Sequence, residues 1–219
     1  MVKKRLIGTI IVKNGWAVQS FSYGRYLPLG RPATVAKNLD RWGVDEIAIL
    51  AIDRSPTASG PDFDLLRSIR DLNLTTPISY GGGIGSADDA KRAIEIGCER
   101  VVVESLMFND HGEIENLVKV IGGQAVIASI PITNQNDQVC RYDYINKCEF
   151  SLEENDVRAL VDLGISELLV IDKDAEGSLG EFELEKLQVF REIEIKLIAF
   201  GGIVGGDLTS TILKNPNVS

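Results

Sequence analysis

Three consecutive glycines, Gly81, Gly82 and Gly83, follow the short apolar run Pro77 to Tyr80. Ser86 stands where a helix would open, with Asp88 and Asp89 just behind it. Serine is a good N-cap, and early aspartate suits the positive end of a helix dipole. Strand, glycine turn and helix N-terminus together offer backbone N–H groups to a phosphate. Glycine is needed where the backbone approaches a ligand or takes positive φ. The same string also reads as a plain turn between a strand and a helix.

The stretch occurs twice. Gly82-Gly83-Ile84 recurs as Gly201-Gly202-Ile203, at an offset of 119. GVDEIAIL from Gly43 recurs as GISELLVI from Gly164, at an offset of 121, so Glu46 falls on Glu167 and Asp53 on Asp174. LIGTIIV from Leu6 recurs as VIASIPI from Val126, at an offset of 120. A near-constant offset across three strands marks two copies of a half-barrel, about 1–122 and 123–219.

The elements that must carry these turns alternate along the chain. Strands are expected at Leu6–Val12, Glu46–Ile52, Pro77–Tyr80, Arg100–Val103, Ala125–Ile130, Glu167–Ile171 and Lys196–Phe200. Helices are expected between them, including one capped by Ser151 and one over Phe182–Ile193. Lys13-Asn14-Gly15 reads as a turn closing the first strand, the stretch from there to Gly30 as a long polar loop, and Asn134–Phe150 as an inserted hairpin or lid. The pattern is α/β with parallel strands: a (βα)8 TIM barrel, an open doubly wound sheet being the alternative that the repeat disfavours. At about 31 residues per unit, 219 residues make about seven units, so the eighth is expected to be lacking.

Composition sets the outer limits. A chain of 219 residues with 44% apolar and 25% charged residues reads as one globular domain. A net charge of −9 argues against nucleic acid and anionic membranes as partners. Three cysteines without a CxxC spacing point to a reduced, cytoplasmic setting. The single histidine, His111, sits in a polar stretch that reads as a turn, so neither a His-based metal site nor a catalytic His pair is expected. Lys3-Lys4-Arg5 before Leu6–Val12 has the look of a leader, but the apolar run is short and no cleavage site follows. No run approaches membrane-spanning length.

Arg5, the VKNG turn, GVDEI, YGGGI, GQAV, the Gly177-Ser178 loop and the second glycine pair resemble, in that order and spacing, the HisF family. HisF is the cyclase subunit of imidazole glycerol phosphate synthase. KNG, Pro61-Asp62-Phe63 and YGGGI look closer to the paralogues found with sugar-amidation enzymes of surface-polysaccharide synthesis. The resemblance implies a glutaminase (HisH-like) partner that supplies ammonia, a small phosphorylated substrate, and no cofactor or metal.

The resemblance also implies site residues. Phosphate groups would bind at Gly82, Gly83 and Ser105 in the first half, and at Gly177, Ser178, Gly201 and Gly202 in the second. Glu104 and Glu176 depart from that pattern, because a carboxylate beside a phosphate is unfavourable unless it turns away. The family's two catalytic aspartates fall on Ile11 and Pro131, neither of which can move a proton, and a loop lysine falls on Gln19. Asp53, Asp174 and Glu176 are the remaining carboxylates at strand ends, readable as relocated acid–base groups or as loop and cap residues. Arg5, Glu46, Arg100 and Glu167, each just before an apolar strand, match a charge ring through which ammonia enters, or are four separate surface charges. Glu99 matches an acidic position facing the glutaminase. Two functions from different classes follow: a HisF-like cyclase-type subunit, in its divergent sugar-amidation form, or a catalytically inactive barrel that binds phosphate or a partner.

Overall fold

A computed structural model describes residues 4–136, 138–215 and 218. The chain divides into two compact units, one of Arg5–Gln19 with Leu27–Ile127, the other of Lys4, Ser20–Tyr26 and the described residues from Ala128 onward.

In the first unit the strands β1 (Ile7–Lys13), β4 (Glu46–Ala51), β5 (Ile78–Gly81) and β6 (Arg100–Val103) lie side by side and parallel in the order β6-β5-β4-β1. All of β4 except Leu50 is buried, as expected of a parallel strand covered on both faces. The connecting helices are α1 (Pro32–Trp42), α2 (Phe63–Arg70), α3 (Ala87–Ile96), α4 (Ser105–Asn109) and α5 (His111–Ile121). Their ends obey local rules. Pro32 opens α1 and Gly43 closes it at φ 75°, Asp62 caps α2 by accepting the Leu65 N–H, and Ser86 caps α3 by accepting the Asp89 N–H.

The second unit sets β7 (Val126–Gln135, of which all but the first two residues belong here), β10 (Glu167–Asp172) and β11 (Lys196–Phe200) in the order β11-β10-β7. On β7 hangs an antiparallel meander of β8 (Gln138–Asp143) and β9 (Cys148–Ser151), the expected inserted hairpin. Helices α6 (Glu154–Asp162) and α7 (Asp207–Ile212) complete it.

Four local expectations are corrected. The turn at Lys13-Asn14-Gly15 is present, but the segment from there to Gly30 is not a loop: it holds β2 (Trp16–Phe21) and β3 (Arg25–Gly30), and β2 pairs back on β1 with Lys13 opposite Trp16. Asn14 and Gly15, at φ 50° and 77°, make the two-residue turn that brings this about. His111 is not in a turn but opens α5, because Asp110 accepts the Glu113 N–H and caps it. Helix α6 is capped by Glu153 with Asp156, not by Ser151. Between Glu183 and Arg191 the chain forms a 3-10 helix, Leu184–Phe190, in place of a full α-helix. The α/β class with parallel strands stands as expected, and no described helix is long and apolar enough to cross a membrane.

Candidate functional site

β5 runs directly into Gly82 and Gly83, which take φ 117° and 74°. A Cβ on Gly82 would lie 2.2 Å from the Ala51 carbonyl oxygen, and one on Gly83 would lie 2.4 Å from the carbonyl of Gly60. Both contacts are with backbone, so no side chain can move aside. The second glycine turn is built the same way. Gly201 and Gly202 follow β11 at φ 108° and 66°. A Cβ on Gly201 would lie 2.5 Å from the Asp172 carbonyl oxygen, and one on Gly202 would lie 2.7 Å from those of Ala175 and Ser178. In each unit the first glycine presses on the end of the preceding strand, and the second on the loop beyond it. The sequence repeat is therefore also a repeat of steric contact.

The amides of these turns are partly engaged. The Gly83 N–H donates to the Ser55 hydroxyl at 3.0 Å, so a hydroxyl oxygen occupies one direction in which a phosphate oxygen would be met. The loop bearing Ser55 is tied by Arg54, which donates to the carbonyls of Gly60 and Ser59 at 2.7 and 2.9 Å. Tyr80, fully buried, accepts the Asp62 N–H on its hydroxyl at 2.7 Å. Ser105 is the first residue of α4, with Glu104 before it. In the other unit the Gly180 N–H donates to the Gly202 carbonyl at 2.7 Å and the Ser178 N–H to that of Ala175 at 2.9 Å. A Cβ on Gly177, at φ 82°, would strike the Ser20 carbonyl at 2.6 Å.

The three candidate carboxylates differ in what they hold. Asp53 accepts the Asn14 N–H at 2.7 Å, and Asp174 accepts the Asn134 N–H at 3.0 Å. These are the same tie in the two repeats, each fastening the end of a first strand. Asp174 also accepts the Thr133 hydroxyl at 2.8 Å. Burial alone would raise the Asp174 carboxyl, but these hydrogen bonds and the ammonium groups of Lys186 and Lys173 outweigh it and hold it below the usual range. Glu176 is buried and accepts the Ser20 hydroxyl at 2.8 Å and the Tyr23 N–H at 3.1 Å on one oxygen. Here burial prevails over those bonds and pushes the carboxyl up.

One group was missed from sequence. Asp172, fully buried at the end of β10, pairs with Lys186 at 2.7 Å and accepts the N–H groups of Asp174, Ala175 and Glu183. Lys186 also lies 3.5 Å from Asp174. A lysine inside a stretch rich in Glu gave no sign that it would turn inward. Ile11 is buried in β1 opposite Leu50 and Val18, and Pro131 is buried in β7. Neither side chain has an ionisable atom. Among the described residues no group of three or more His, Cys, Asp or Glu could hold a metal, and all three cysteines are free thiols.

At the other ends of the strands Arg5, Glu46 and Arg100 meet. Arg5 Nη1 lies 3.4 Å from Glu46 Oε2, Arg100 Nε lies 3.2 Å from Oε1, and Arg100 Nη2 bonds Oε2. Glu46 is buried, so its charge requires both cations. Strand register sets Ser79 beside Arg100 on one side and Ala48 on the other, on the face that Glu46 shares. The Ser79 hydroxyl is wholly buried and has no hydrogen-bond partner among the described residues. Glu167 opens β10 in the other unit and is itself buried. Glu99, an exposed residue, accepts the Ile78 N–H at 2.6 Å.

Residues 5–210 match the histidine biosynthesis protein family. A Vibrio vulnificus protein provisionally named imidazole glycerol phosphate synthase subunit hisF2 is 31% identical over 205 residues, which cover 93% of this chain and 75% of that protein. The imidazole glycerol phosphate synthase subunit HisF of Exiguobacterium sibiricum is 30% identical, over 93% of this chain and 82% of its own. That of Corynebacterium urealyticum is 29% identical, over 92% and 81%. The chain belongs to the histidine biosynthesis protein family, in its HisF-like branch, and with the family comes the TIM-barrel fold class.

Proposed function

We propose that this chain is a HisF-type subunit that binds a phosphate group at each glycine turn and receives ammonia from a glutaminase partner. The observation that carries the reading is the twofold steric build of Gly82-Gly83 and Gly201-Gly202. Two amide-rich turns of one design suit a small substrate with two phosphate groups. Ser105, Gly177 and Ser178 are the further donors assigned to them.

The partner reading rests on the strand-start cluster. Arg5 and Arg100 meet on Glu46 with one positive charge in excess, and Glu167, at the start of β10, is the acid assigned to balance it. The unpartnered Ser79 hydroxyl, level with Arg100 on the adjacent strand, is a station where a small hydrogen-bonding molecule such as ammonia gains a partner. Glu99 is assigned to the docking surface. The E. sibiricum and C. urealyticum relatives are named as synthase subunits, which accords with a partner chain. The finer assignment is a divergent paralogue in sugar amidation for surface polysaccharide, acting in the cytoplasm.

Ordinary cyclase chemistry is not expected, since Ile11 and Pro131 leave the two family positions without a proton carrier. That same observation supports the second reading, a non-catalytic barrel that binds phosphate or a partner. One experiment separates them. Purified protein is titrated with the neighbouring glutaminase, with glutamine hydrolysis as readout, and then assayed with the family's ribonucleotide substrate and ammonium. Stimulated hydrolysis without cyclase turnover supports the conduit. Absence of any glutaminase binding leaves the non-catalytic reading, and robust imidazole glycerol phosphate formation removes that reading together with the expectation that Ile11 and Pro131 abolish cyclase chemistry.

A further inference from the structure

On the far side of the Gly60-Pro61 segment that Gly83 packs against, three arginines converge on one cavity. Arg54, Arg67 and Arg92 line a space of about 270 Å³ together with Pro61, Asp62, Phe63 and Asp64. Neither Gly82 nor Gly83 lines it. In a chain of net charge −9, such a gathering of cations runs against the average surface.

Of the three cations there, only Arg67 is paired with an acid beside it. Asp62 directs one carboxylate oxygen to the Leu65 N–H at 2.9 Å, capping α2, and Asp64 pairs with Arg67 at 2.5 Å. Arg92 has no carboxylate partner among the described residues; its guanidinium lies over the Phe63 ring, 4.2 Å from the centroid. Arg54 bonds only neutral carbonyls, those of Gly60, Ser59 and Pro61, through Nε and Nη2. Its Nη1 has no acceptor among the described residues. A guanidinium held by carbonyls keeps its full charge and is already oriented. Stacking does the same for Arg92, which reduces the side-chain entropy lost when a ligand arrives. The first turn of α2 opens on the same cavity, with its positive dipole end.

We propose that this cavity is a binding site for a small soluble phosphate-type oxyanion, held by Arg92 and the Nη1 end of Arg54, with Arg67 as a third donor. The fork of a guanidinium matches two oxygens of such an anion. The site goes beyond the function proposed above and does not depend on it.

The test uses the full chain, labelled with nitrogen-15 and titrated with inorganic phosphate and with pyrophosphate at constant ionic strength. Saturable shifts are expected at the backbone amides of Phe63 and Asp64 and at the Arg92 side chain. Arg92→Gln should weaken binding there about tenfold, the weight of one charge-assisted contact, with the unfolding midpoint unchanged. Arg41→Gln, the same charge change on exposed α1, should leave the affinity as it was. Unaltered affinity in Arg92→Gln, equal weakening in Arg41→Gln, or shifts confined to the glycine turns would overturn the proposal.

Discussion

Asp172 and Lys186 sit 2.7 Å apart with side chains 0% and 4% exposed, the most deeply withdrawn ion pair among the described residues. Each charge is tolerable there only because of the other, and because Asp172 also accepts three backbone N–H groups. Lys186→Met should therefore destabilise the fold by about 3–5 kcal/mol, measured by urea unfolding. Burial alone would lower the Lys186 ammonium, but Asp172, Asp174 and Glu183 outweigh it and raise it. A lysine raised on folding contributes fully below its unfolded value of about 10.4 and loses that contribution as pH climbs through the folded one. The parent should lose stability more steeply than Lys186→Met in that alkaline window.

Glu176 predicts the opposite arrangement. Its carboxyl is pushed up by burial despite the bonds from Ser20 and Tyr23. A carboxyl raised on folding favours the folded state at acid pH, and that contribution is lost as pH rises through the folded value. At neutral pH the ionised group is thus a burden. Glu176→Gln should raise stability at pH 7 relative to the parent, and the gain should shrink towards zero below about pH 4.3, the usual glutamate value. Denaturant midpoints across pH 3 to 8, a window on the order of the carboxylate range, test this; a gain that does not vary with pH would show that charge is not the cause.

The glycine turns separate close approach from mere positive φ. Gly15, at φ 77°, has nothing within 4 Å of a Cβ, whereas Gly83, at φ 74°, has the Gly60 carbonyl at 2.4 Å. Gly15→Ala should cost about 1–2 kcal/mol, the ordinary penalty of the left-handed region. Gly83→Ala should cost more than that, roughly 3 kcal/mol or beyond, because backbone must move as well. Similar unfolding energies for the two variants would mean the loop after Asp53 yields freely.

The Ser79 hydroxyl sets stability against function. A buried, unpartnered hydroxyl costs about 1–3 kcal/mol. Ser79→Ala should accordingly be neutral to stabilising by about 1 kcal/mol. If the hydroxyl serves passing ammonia, the same variant should lower the glutamine hydrolysis stimulated by this chain while sparing glutaminase binding. Loss of stability in Ser79→Ala would point instead to an undetected structural partner.

Periodicity and repetition carried most of what was legible in the chain. Apolar runs marked β4, β10 and β11, because strands inside a parallel sheet bury much of both faces; the polar members Glu46, Glu167, Asp172 and Lys196 stand at strand ends. The offset near 120 exposed the duplicated glycine turns, since no other residue fits against a carbonyl at 2.2 to 2.7 Å. The Asn14-Gly15 hairpin was also written in the sequence, as a two-residue turn signal, yet the polar residues after it suggested a loop. What only the tertiary structure decided are contacts between residues far apart in sequence. Lys186 turns inward because Asp172 lies at the end of a neighbouring strand, Gly83 gives its N–H to Ser55 across a loop, and Arg92 is left stacked on Phe63 without an acid. Charge and hydrogen-bond partners are set by distance in space, and a side chain's type does not reveal which partner the fold will bring within 3 Å of it, the usual hydrogen-bond separation.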